Sequence, residues 1–393
     1  MAKKDLWMSQ TRVLRIQSRI CVGGPALNTI LLTANLDPAR FETKLVGGRL
    51  LPEEKPSPLI DKKGVPVTII EEMGRSVHWW DDIKALWRLI KLIREYKPHI
   101  VHTHTAKAGA LGRLAAWLCR VPFRVHTFHG HVFHGYFSNT VTRAYIYIER
   151  FLAKISHRIV VISPRQKDDL VNVYKVIPDK KCRIVRLGFE LAHVASGEPG
   201  QFRASLGLSP EIKLAGILAR LVPIKNHALL IKAIEVWAQK KDANQRASVR
   251  FLIIGDGDLR HDLETQVRDS GLDDIVIFTG WRSDVPEIYA DLDLNMLSSK
   301  NEGTPVTLIE GLASGVPVLT TDVGGVRDFV DETMGEIVPP DVTPEQLAQK
   351  LDLMLNRDVL RLEEQTRQEI RKNYDVSRLV NDIETLYNEL PKS

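Results

Sequence analysis

The feature that most constrains the fold is a regular alternation of short β-rich runs and longer helical patterns, which occurs twice along the 393 residues. Such alternation predicts parallel, doubly wound sheets covered by helices. The predicted strands are 13–17, 44–46, 66–70, 100–103, 123–127 and 159–163 in the first half, and 213–218, 250–254, 276–278, 295–297 and 318–320 in the second. Because the chain is too long for one hydrophobic core, we expect an α/β protein with two domains.

A polar segment rich in Gly and Pro, residues 190–201, predicts the boundary between the domains. We therefore expect one domain over 1–190 and a second over 191–372. Residues 373–393 should form a C-terminal helix that packs toward the first domain. In the second domain, helices are expected to begin near His227, Leu259, Pro286, Val306 and Val326.

Charge is divided unevenly between the two halves. Residues 1–190 hold 32 Lys and Arg against 16 Asp and Glu, whereas the remainder holds 22 against 33. A basic half indicates an anionic partner, either a phospholipid surface or nucleic acid; scattered solvated lysines are the ordinary alternative. Three widely spaced cysteines, no signal-peptide pattern and no long apolar run predict a cytoplasmic protein.

The most informative motifs follow predicted strands, where doubly wound sheets bind ligands. Arg220 and Lys225 precede a helix, an arrangement that can hold a diphosphate, although taken alone this motif is better explained by surface charge. Further along, Glu302 and Glu310 flank Gly-Thr-Pro at the start of another helix. Glu302 is suited to sugar hydroxyls and Glu310 to a ribose, and a capping role explains one carboxylate but not the pair.

Three other motifs are less specific. Gly23 and Gly24 lack the full three-glycine dinucleotide fingerprint, and a tight turn would explain them. Seven of the twelve histidines lie between His99 and His134, but no cysteine or carboxylate completes a metal site, so we expect hydrogen-bonded histidines lining a cleft. Asp291-Leu292-Asp293 resembles a metal-binding Asp-x-Asp, yet it leads directly into an apolar strand, so a structural role is favoured.

Together these motifs resemble the retaining glycosyltransferases of family four, whose hallmark is Glu-x7-Glu. The resemblance extends over nearly the whole chain, through the Gly-Gly loop, Val-His-Thr-His at 101–104, Thr-Phe-His-Gly at 127–130, Gly-Asp-Gly at 255–257 and Asp-Val-Gly-Gly at 322–325. It implies the GT-B fold, in which two Rossmann-like domains face a cleft and a C-terminal helical segment crosses between them.

The resemblance also implies roles for individual residues. The candidate catalytic residues are His129, facing the reacting sugar, Arg220 and Lys225, on the donor diphosphate, and Glu302, on the transferred sugar. The remaining donor-binding candidates are Gly23, Gly24, Gly255, Gly257, Arg282, Gly303, Thr304, Pro305, Val306 and Glu310. The usual Asn-Gly-Val-Asp is replaced by Leu-Gly-Phe-Glu at 187–190, which leaves that segment without a predicted role.

The expected reaction moves a sugar from a nucleotide diphosphate, with UDP favoured over GDP, to a hydroxyl of a lipid-linked or glycan acceptor in cell-envelope polysaccharide synthesis. We expect retention of configuration by front-face attack, and no metal or other cofactor, because Arg220, Lys225 and a helix N-terminus can stabilise the leaving diphosphate. Alternatives are a GDP-mannose-dependent mannosyltransferase, a sugar-nucleotide epimerase or a phosphorylase. A nicotinamide oxidoreductase lacks its fingerprint, and no nucleic-acid-binding motif occurs.

The acceptor is expected to reach the first domain, which is basic and rich in aromatic residues. These include Trp79, Trp80, Trp87, Phe133, Tyr136 and Phe137. Such a composition fits peripheral docking at an anionic bilayer on the inner face of the cell membrane.

Overall fold

The computed structural model describes residues 10–52, 54–74, 78–130, 139–357 and 361–389. The chain divides into two compact units, the first formed by Met1–Phe189 with Val376–Ser393 and the second by Glu190–Asp375. These boundaries lie within three residues of those expected from the sequence.

The first unit contains a parallel sheet of seven strands among its described residues, in the order β3-β2-β1-β4-β5-β6-β7. The strands are β1 Thr11–Gln17, β2 Phe41–Gly48, β3 Val67–Ile70, β4 Ile100–His104, β5 Phe123–Phe128, β6 Arg158–Val161 and β7 Cys182–Ile184. The helices before the boundary are α1 Gly24–Asn35, α2 Leu59–Lys63, α3 Trp79–Tyr96, α4 Ala106–Leu118, α5 Asn139–Ile155 and α6 Pro164–Asp168.

Small residues set the packing of α4 on this sheet. A Cβ atom at Gly112 would lie 2.6 Å from the Cγ2 atom of Thr103 in β4, so only glycine permits this approach. On the other face, the last helix of the chain, α16 Val376–Tyr387, buries Leu379, Ile383 and Tyr387 in the core of the first unit. The predicted C-terminal helix therefore belongs to the first unit.

The second unit contains a parallel sheet of six strands among its described residues, in the order β10-β9-β8-β11-β12-β13. The strands are β8 Lys213–Leu218, β9 Val249–Ile254, β10 Val276–Gly280, β11 Leu294–Leu297, β12 Val318–Thr321 and β13 Gly335–Val338. The helices are α7 Leu191–Val194, α8 Gln201–Ser205, α9 His227–Gln239, α10 Ala243–Ala247, α11 Arg260–Asp269, α12 Val285–Asp291, α13 Val306–Ala313, α14 Pro344–Leu355 and α15 Glu364–Tyr374.

Both sheets contain a topological switch point, where the order of strands reverses direction. It lies between β1 and β4 in the first unit and between β8 and β11 in the second. Ligands of doubly wound proteins bind outside the carboxyl ends of strands at such points. The Gly23 loop follows β1, and the Arg220 and Glu302 loops follow β8 and β11.

The eleven predicted strands are all present, but sequence reasoning missed β7 and β13, which close one edge of each sheet. β7 has three residues, and β13 begins with a glycine, so neither has a clear apolar pattern. The helix expected near Val326 is wrong, because Val326–Asp328 forms a single 3-10 turn. The C-terminal helix expected over 373–393 begins at Val376, because Asp375 separates α15 from α16.

Candidate functional site

Two loops at the switch point of the second unit are joined by an ion pair. The Nζ atom of Lys225, after β8, lies 2.5 Å from the Oε1 atom of Glu302, after β11. Both side chains are partly buried, so the pair is better shielded from water than a surface salt bridge. The structure thus brings together two residues that the sequence separates by 77 positions.

Serine hydroxyls fix both loops in place. The Ser299 hydroxyl donates to the same Glu302 oxygen at 2.7 Å, and the Ser298 hydroxyl contacts the carbonyl oxygens of Lys225 and Asn226 at 3.0 and 3.1 Å. Thr321, at the end of β12, donates to the carbonyl of Ser299 at 2.7 Å. The carboxylate of Glu302 is therefore oriented by neighbours from three strand ends.

Arg220 lies in the same loop as Lys225 but is exposed, and its guanidinium makes no hydrogen bond or ion pair with any of the described residues.

Gly255 and Gly257, in the loop after β9, pack against the loop that carries Arg220. A Cβ atom at Gly255 would lie 2.1 Å from the carbonyl oxygen of Ala219, and one at Gly257 would lie 2.6 Å from that of Leu221. These glycines, both at positive φ, thus let the β9 loop pack directly on the Arg220 loop.

The N-terminus of α13 lies next to Glu302 in the sequence. No side chain caps it: Pro305 occupies the N-cap position and Val306 begins the helix. The Thr304 hydroxyl is buried and has no hydrogen-bond partner among the described residues. The carbonyl of Gly303 accepts from the amide of Gly325 at 2.8 Å, which ties this turn to the loop after β12. Free amides at the N-terminus of a helix suit an anion such as a phosphate.

Glu310 lies one turn into α13, and burial raises the pKa of its carboxyl to about 7. The Tyr289 hydroxyl, from α12, lies 3.2 Å from the Oε2 atom of Glu310 and 2.9 Å from the carbonyl oxygen of Thr307. A tyrosine hydroxyl has one proton to donate, so Glu310 and Thr307 compete for it. The carboxylate is therefore held by a hydrogen bond, and none of the described residues forms an ion pair with it.

The remaining candidates of the second unit have intramolecular partners. Arg282 forms an ion pair with Asp284 and lies 3.3 Å from the Ser205 hydroxyl. Asp291 accepts from the amides of Gly200 and Arg203 at 2.6 and 2.8 Å. The carboxylate of Asp293 accepts from the amide of Leu214 at 2.8 Å. The Asp-x-Asp pair thus fixes backbone segments.

Histidines at the carboxyl ends of β4 and β5 form a pair in the first unit, in which His104 is buried and His129 is partly buried. The Nδ1 atom of His104 lies 2.9 Å from the Nε2 atom of His129, and their rings stack. Burial lowers the pKa of His129 to about 4 and that of His104 well below its ordinary value, so both rings are neutral near pH 7. The outer ring nitrogens, Nε2 of His104 and Nδ1 of His129, have no partner among the described residues.

A second network behind this pair fixes the ring of His102. Arg15 donates to the Tyr387 hydroxyl at 3.2 Å, and the Nδ1 atom of His102 lies 2.7 Å from the same hydroxyl. The Nε2 atom of His102 lies 2.7 Å from the Thr127 hydroxyl, so both ring nitrogens have a hydrogen-bond partner. The C-terminal helix α16 thus holds the strand ends that carry the histidines.

Gly23 and Gly24 lie where the sequence predicted, after β1 and at the start of α1. Gly23 has a φ of +155° and occupies the N-cap position, and a Cβ atom there would meet no other atom within 4 Å. Pro25 lies in the first turn of the helix. The amides of this turn are therefore uncapped by any side chain, as at α13.

Two kinds of feature are absent from the described residues. None of their helices combines the length and the apolar character that crossing a bilayer requires. No set of three or more His, Cys, Asp or Glu side chains among them is arranged to hold a metal ion. Phe133, Tyr136 and Phe137 lie outside the described residues.

Comparison with known proteins places this arrangement in a family. The family described as "Glycosyl transferases group 1" matches residues 200–374, and that described as "Glycosyl transferase 4-like domain" matches residues 23–188. The chain belongs to the family-four glycosyltransferases. It is thus a glycosyltransferase with the GT-B fold, built from two Rossmann-like units.

Individual relatives agree with this assignment. The UDP-Gal:alpha-D-GlcNAc-diphosphoundecaprenol alpha-1,3-galactosyltransferase of Escherichia coli is 31% identical over 290 residues, which cover 70% of this chain and 74% of that enzyme. A capsular polysaccharide biosynthesis glycosyltransferase of Staphylococcus aureus is 24% identical over 333 residues, covering 81% and 84%. The crystal structure of Anabaena HepE in complex with UDP superposes with a TM-score of 0.78 at 18% identity, covering 97% and 100%.

Sequence reasoning missed several residues that position the candidates. Ser299 and Thr321 orient Glu302, Tyr289 contacts Glu310, and Tyr387 fixes His102. Tyr289 precedes Glu310 by 21 positions and Tyr387 follows His102 by 285, so no local motif links either pair. Only Ser299 lies close enough to its partner in sequence to have been noticed.

Proposed function

We propose that this glycosyltransferase transfers a hexose from a UDP-sugar, with retention of configuration and without a metal ion, to a hydroxyl of a lipid-linked or glycan acceptor in cell-envelope polysaccharide synthesis. The observation that carries the proposal is the Lys225–Glu302 ion pair beside the uncapped N-terminus of α13. It supplies a cation, a sugar-binding carboxylate and free amides at one switch point.

Each group has a role in this proposal. Arg220, Lys225 and the first amides of α13 bind the diphosphate, Glu302 accepts hydrogen bonds from the sugar, and Glu310 accepts them from the ribose. Gly255 and Gly257 place the Arg220 loop, and Arg282 lies toward the base. In the first unit, His129 positions the transferred sugar.

The chemistry needs a stabilised leaving group. As the bond between the anomeric carbon and the diphosphate oxygen breaks, its electron pair stays on the diphosphate, where Arg220, Lys225 and the α13 amides balance the growing charge. The acceptor oxygen bonds to the anomeric carbon from the same side, and its proton passes to a diphosphate oxygen. Each diphosphate contact contributes roughly 2 to 4 kcal/mol to the lowering of the barrier.

UDP is favoured over GDP because the E. coli relative uses UDP-Gal and the Anabaena structure holds UDP. The acceptor of that relative, a diphosphoundecaprenol-linked GlcNAc, likewise supports a lipid-linked glycan here. Neither name fixes which hexose this chain transfers.

Calorimetry with UDP and GDP in the presence of EDTA tests the donor site. We expect wild-type protein to bind UDP, Arg220→Ala and Glu310→Ala to bind it at least tenfold more weakly, and Arg268→Ala, a change of an exposed arginine on α11, to bind it normally. Binding of GDP alone, a requirement for a divalent ion, or equal affinity in all variants would contradict the proposal. The anomeric configuration of the product, followed by NMR, tests retention.

A further inference from the structure

The first unit exposes apolar side chains on three neighbouring helices. We call this surface the aromatic face and define it by Trp80, Ile83 and Trp87 of α3, Trp117 of α4, and Val141, Tyr147, Ile148 and Phe151 of α5. Tyr147 is 68% exposed and Trp87 is 64% exposed. Large apolar side chains grouped on a surface in this way mark a site of interaction.

The three helices lie side by side in one layer. Lys107 of α4 lies 2.5 Å from Asp82 of α3, and Arg113 of α4 lies 2.8 Å from Glu149 of α5. The rings of Trp117 and Phe151 meet edge to face at 6.5 Å. The aromatic face is therefore spread over adjacent elements of one compact unit.

Helix α5 has two apolar sides, one buried and one exposed. Leu152, Ala153 and Ile155 are buried in the unit. The opposite side exposes Tyr147, Ile148 and Phe151 at helical spacing. The buried side accounts for the folding of the helix, so the exposed side needs a different explanation.

The charges around the exposed side of α5 have one sign. The helix carries Arg143, Arg150 and Lys154, and its single acidic residue, Glu149, is buried against Arg113. On α3, Lys84, Arg88 and Lys91 lie near the exposed Trp80, Ile83 and Trp87. Arg88 pairs with Glu72 and Lys91 with Glu95, so the excess of positive charge lies on α5. Apolar and aromatic side chains bordered by lysine and arginine match the interface of an anionic bilayer, where tryptophan and tyrosine rings reside among the headgroups.

We propose that the aromatic face docks on an anionic phospholipid bilayer, with the apolar side chains of α3 and α5 at the headgroup level and the flanking cations against lipid phosphates. The inference deepens the proposed function and rests on it, because a lipid-linked acceptor must be reached at a membrane. A second copy of the chain is a poorer partner, since pairing two such faces would bring cations of like sign together.

Vesicle sedimentation with the full-length protein tests the docking. Vesicles of phosphatidylglycerol and phosphatidylethanolamine should bind it about tenfold more tightly than phosphatidylcholine vesicles, with the preference reduced in high salt. Replacing Tyr147, Ile148 and Phe151 together by serine should lower binding at least tenfold, and Arg143→Glu with Lys154→Glu should remove the preference for anionic lipid. Leu353→Ser, at an exposed apolar position of the second unit, is the matched control and should bind like wild type.

Equal binding to both vesicle types, no binding to either, or unchanged binding by the serine variant would overturn the inference. So would a dimer, detected by ultracentrifugation, that the serine variant abolishes. Circular dichroism and UDP calorimetry on the same samples show whether each variant is folded. If the wild-type protein binds UDP but not vesicles, only the docking is rejected. If it binds vesicles but not UDP, the proposed donor site is rejected and the docking is not.

Discussion

The two units share a doubly wound parallel sheet and a switch point, but they place opposite kinds of chemistry there. The second unit has charged side chains of opposite sign, and Lys225 forms an ion pair with Glu302. The first unit has histidines there, His104 and His129, whose pKa values are lowered by burial so that both rings are neutral. One fold thus supplies a charged site at the end of one sheet and an uncharged site at the end of the other.

The largest expected effect falls on the charged site. Lys225→Ala should lower kcat/KM for UDP release from a UDP-sugar about a thousandfold, because it removes a cation from the leaving diphosphate and leaves the partly buried Glu302 unpaired. Lys232→Ala, at an exposed position on α9, is the control and should leave kcat/KM unchanged. A loss below tenfold for Lys225→Ala would remove this residue from the diphosphate site.

The neutral site should respond differently. His129→Ala is expected to lower UDP release about a hundredfold while leaving UDP affinity unchanged, because the imidazole acts on the sugar and not on the nucleotide. Kinetics and calorimetry on the same preparation separate the two effects, with the exposed His78→Ala as control. If UDP affinity fell in parallel with the rate, the division of roles between the units would be wrong.

The pH dependence of UDP affinity sharpens the comparison further. The pKa of Glu310 is about 7, so its carboxylate is lost as an acceptor on acidification, and UDP affinity should fall roughly tenfold from pH 8 to pH 6. Glu310→Gln should bind UDP weakly with no such slope. Because burial raises this pKa from 4.5 to about 7, folding stability falls as the pH rises from about 4.5 to 7 and stays lowered above that range. Glu310→Gln should therefore be more stabilising at pH 8 than at pH 5. A slope retained in the variant would assign the titration elsewhere.

The smallest expected effect concerns Tyr289. Its hydroxyl lowers the pKa of Glu310, so Tyr289→Phe should move the midpoint of the UDP binding curve to higher pH and weaken binding at pH 7 about threefold. Calorimetry over pH 5.5 to 8.5 measures both. An unchanged midpoint with weaker binding would mean that Tyr289 acts only through packing.

Much of this fold follows from the sequence, because buried parallel strands are continuous apolar runs whose pattern is independent of their partners. Edge strands such as β7 and β13 are short and partly exposed, and they lack that pattern. The sequence placed the start of the C-terminal helix at residue 373, three residues before Val376. Residues on both sides of Asp375 have helical periodicity, and the junction contains neither Gly nor Pro to mark it.

The candidate site divides in the same way. Glu302 and Glu310 stand out because they belong to one local motif after a strand. That Lys225 pairs with Glu302 depends on β8 and β11 being neighbours, and this order of strands is a property of the fold. Burial of His104 and His129 likewise depends on packing, so their neutral state could not be predicted from the histidine-rich sequence.

A crystal structure of the protein with UDP, grown in EDTA, tests the central claim most directly. We expect UDP on the second unit, with its diphosphate against Arg220, Lys225 and the first amides of α13 and its ribose hydroxyls on Glu310. UDP bound to the first unit, or on the second unit away from Lys225 and Glu310, would contradict the claim.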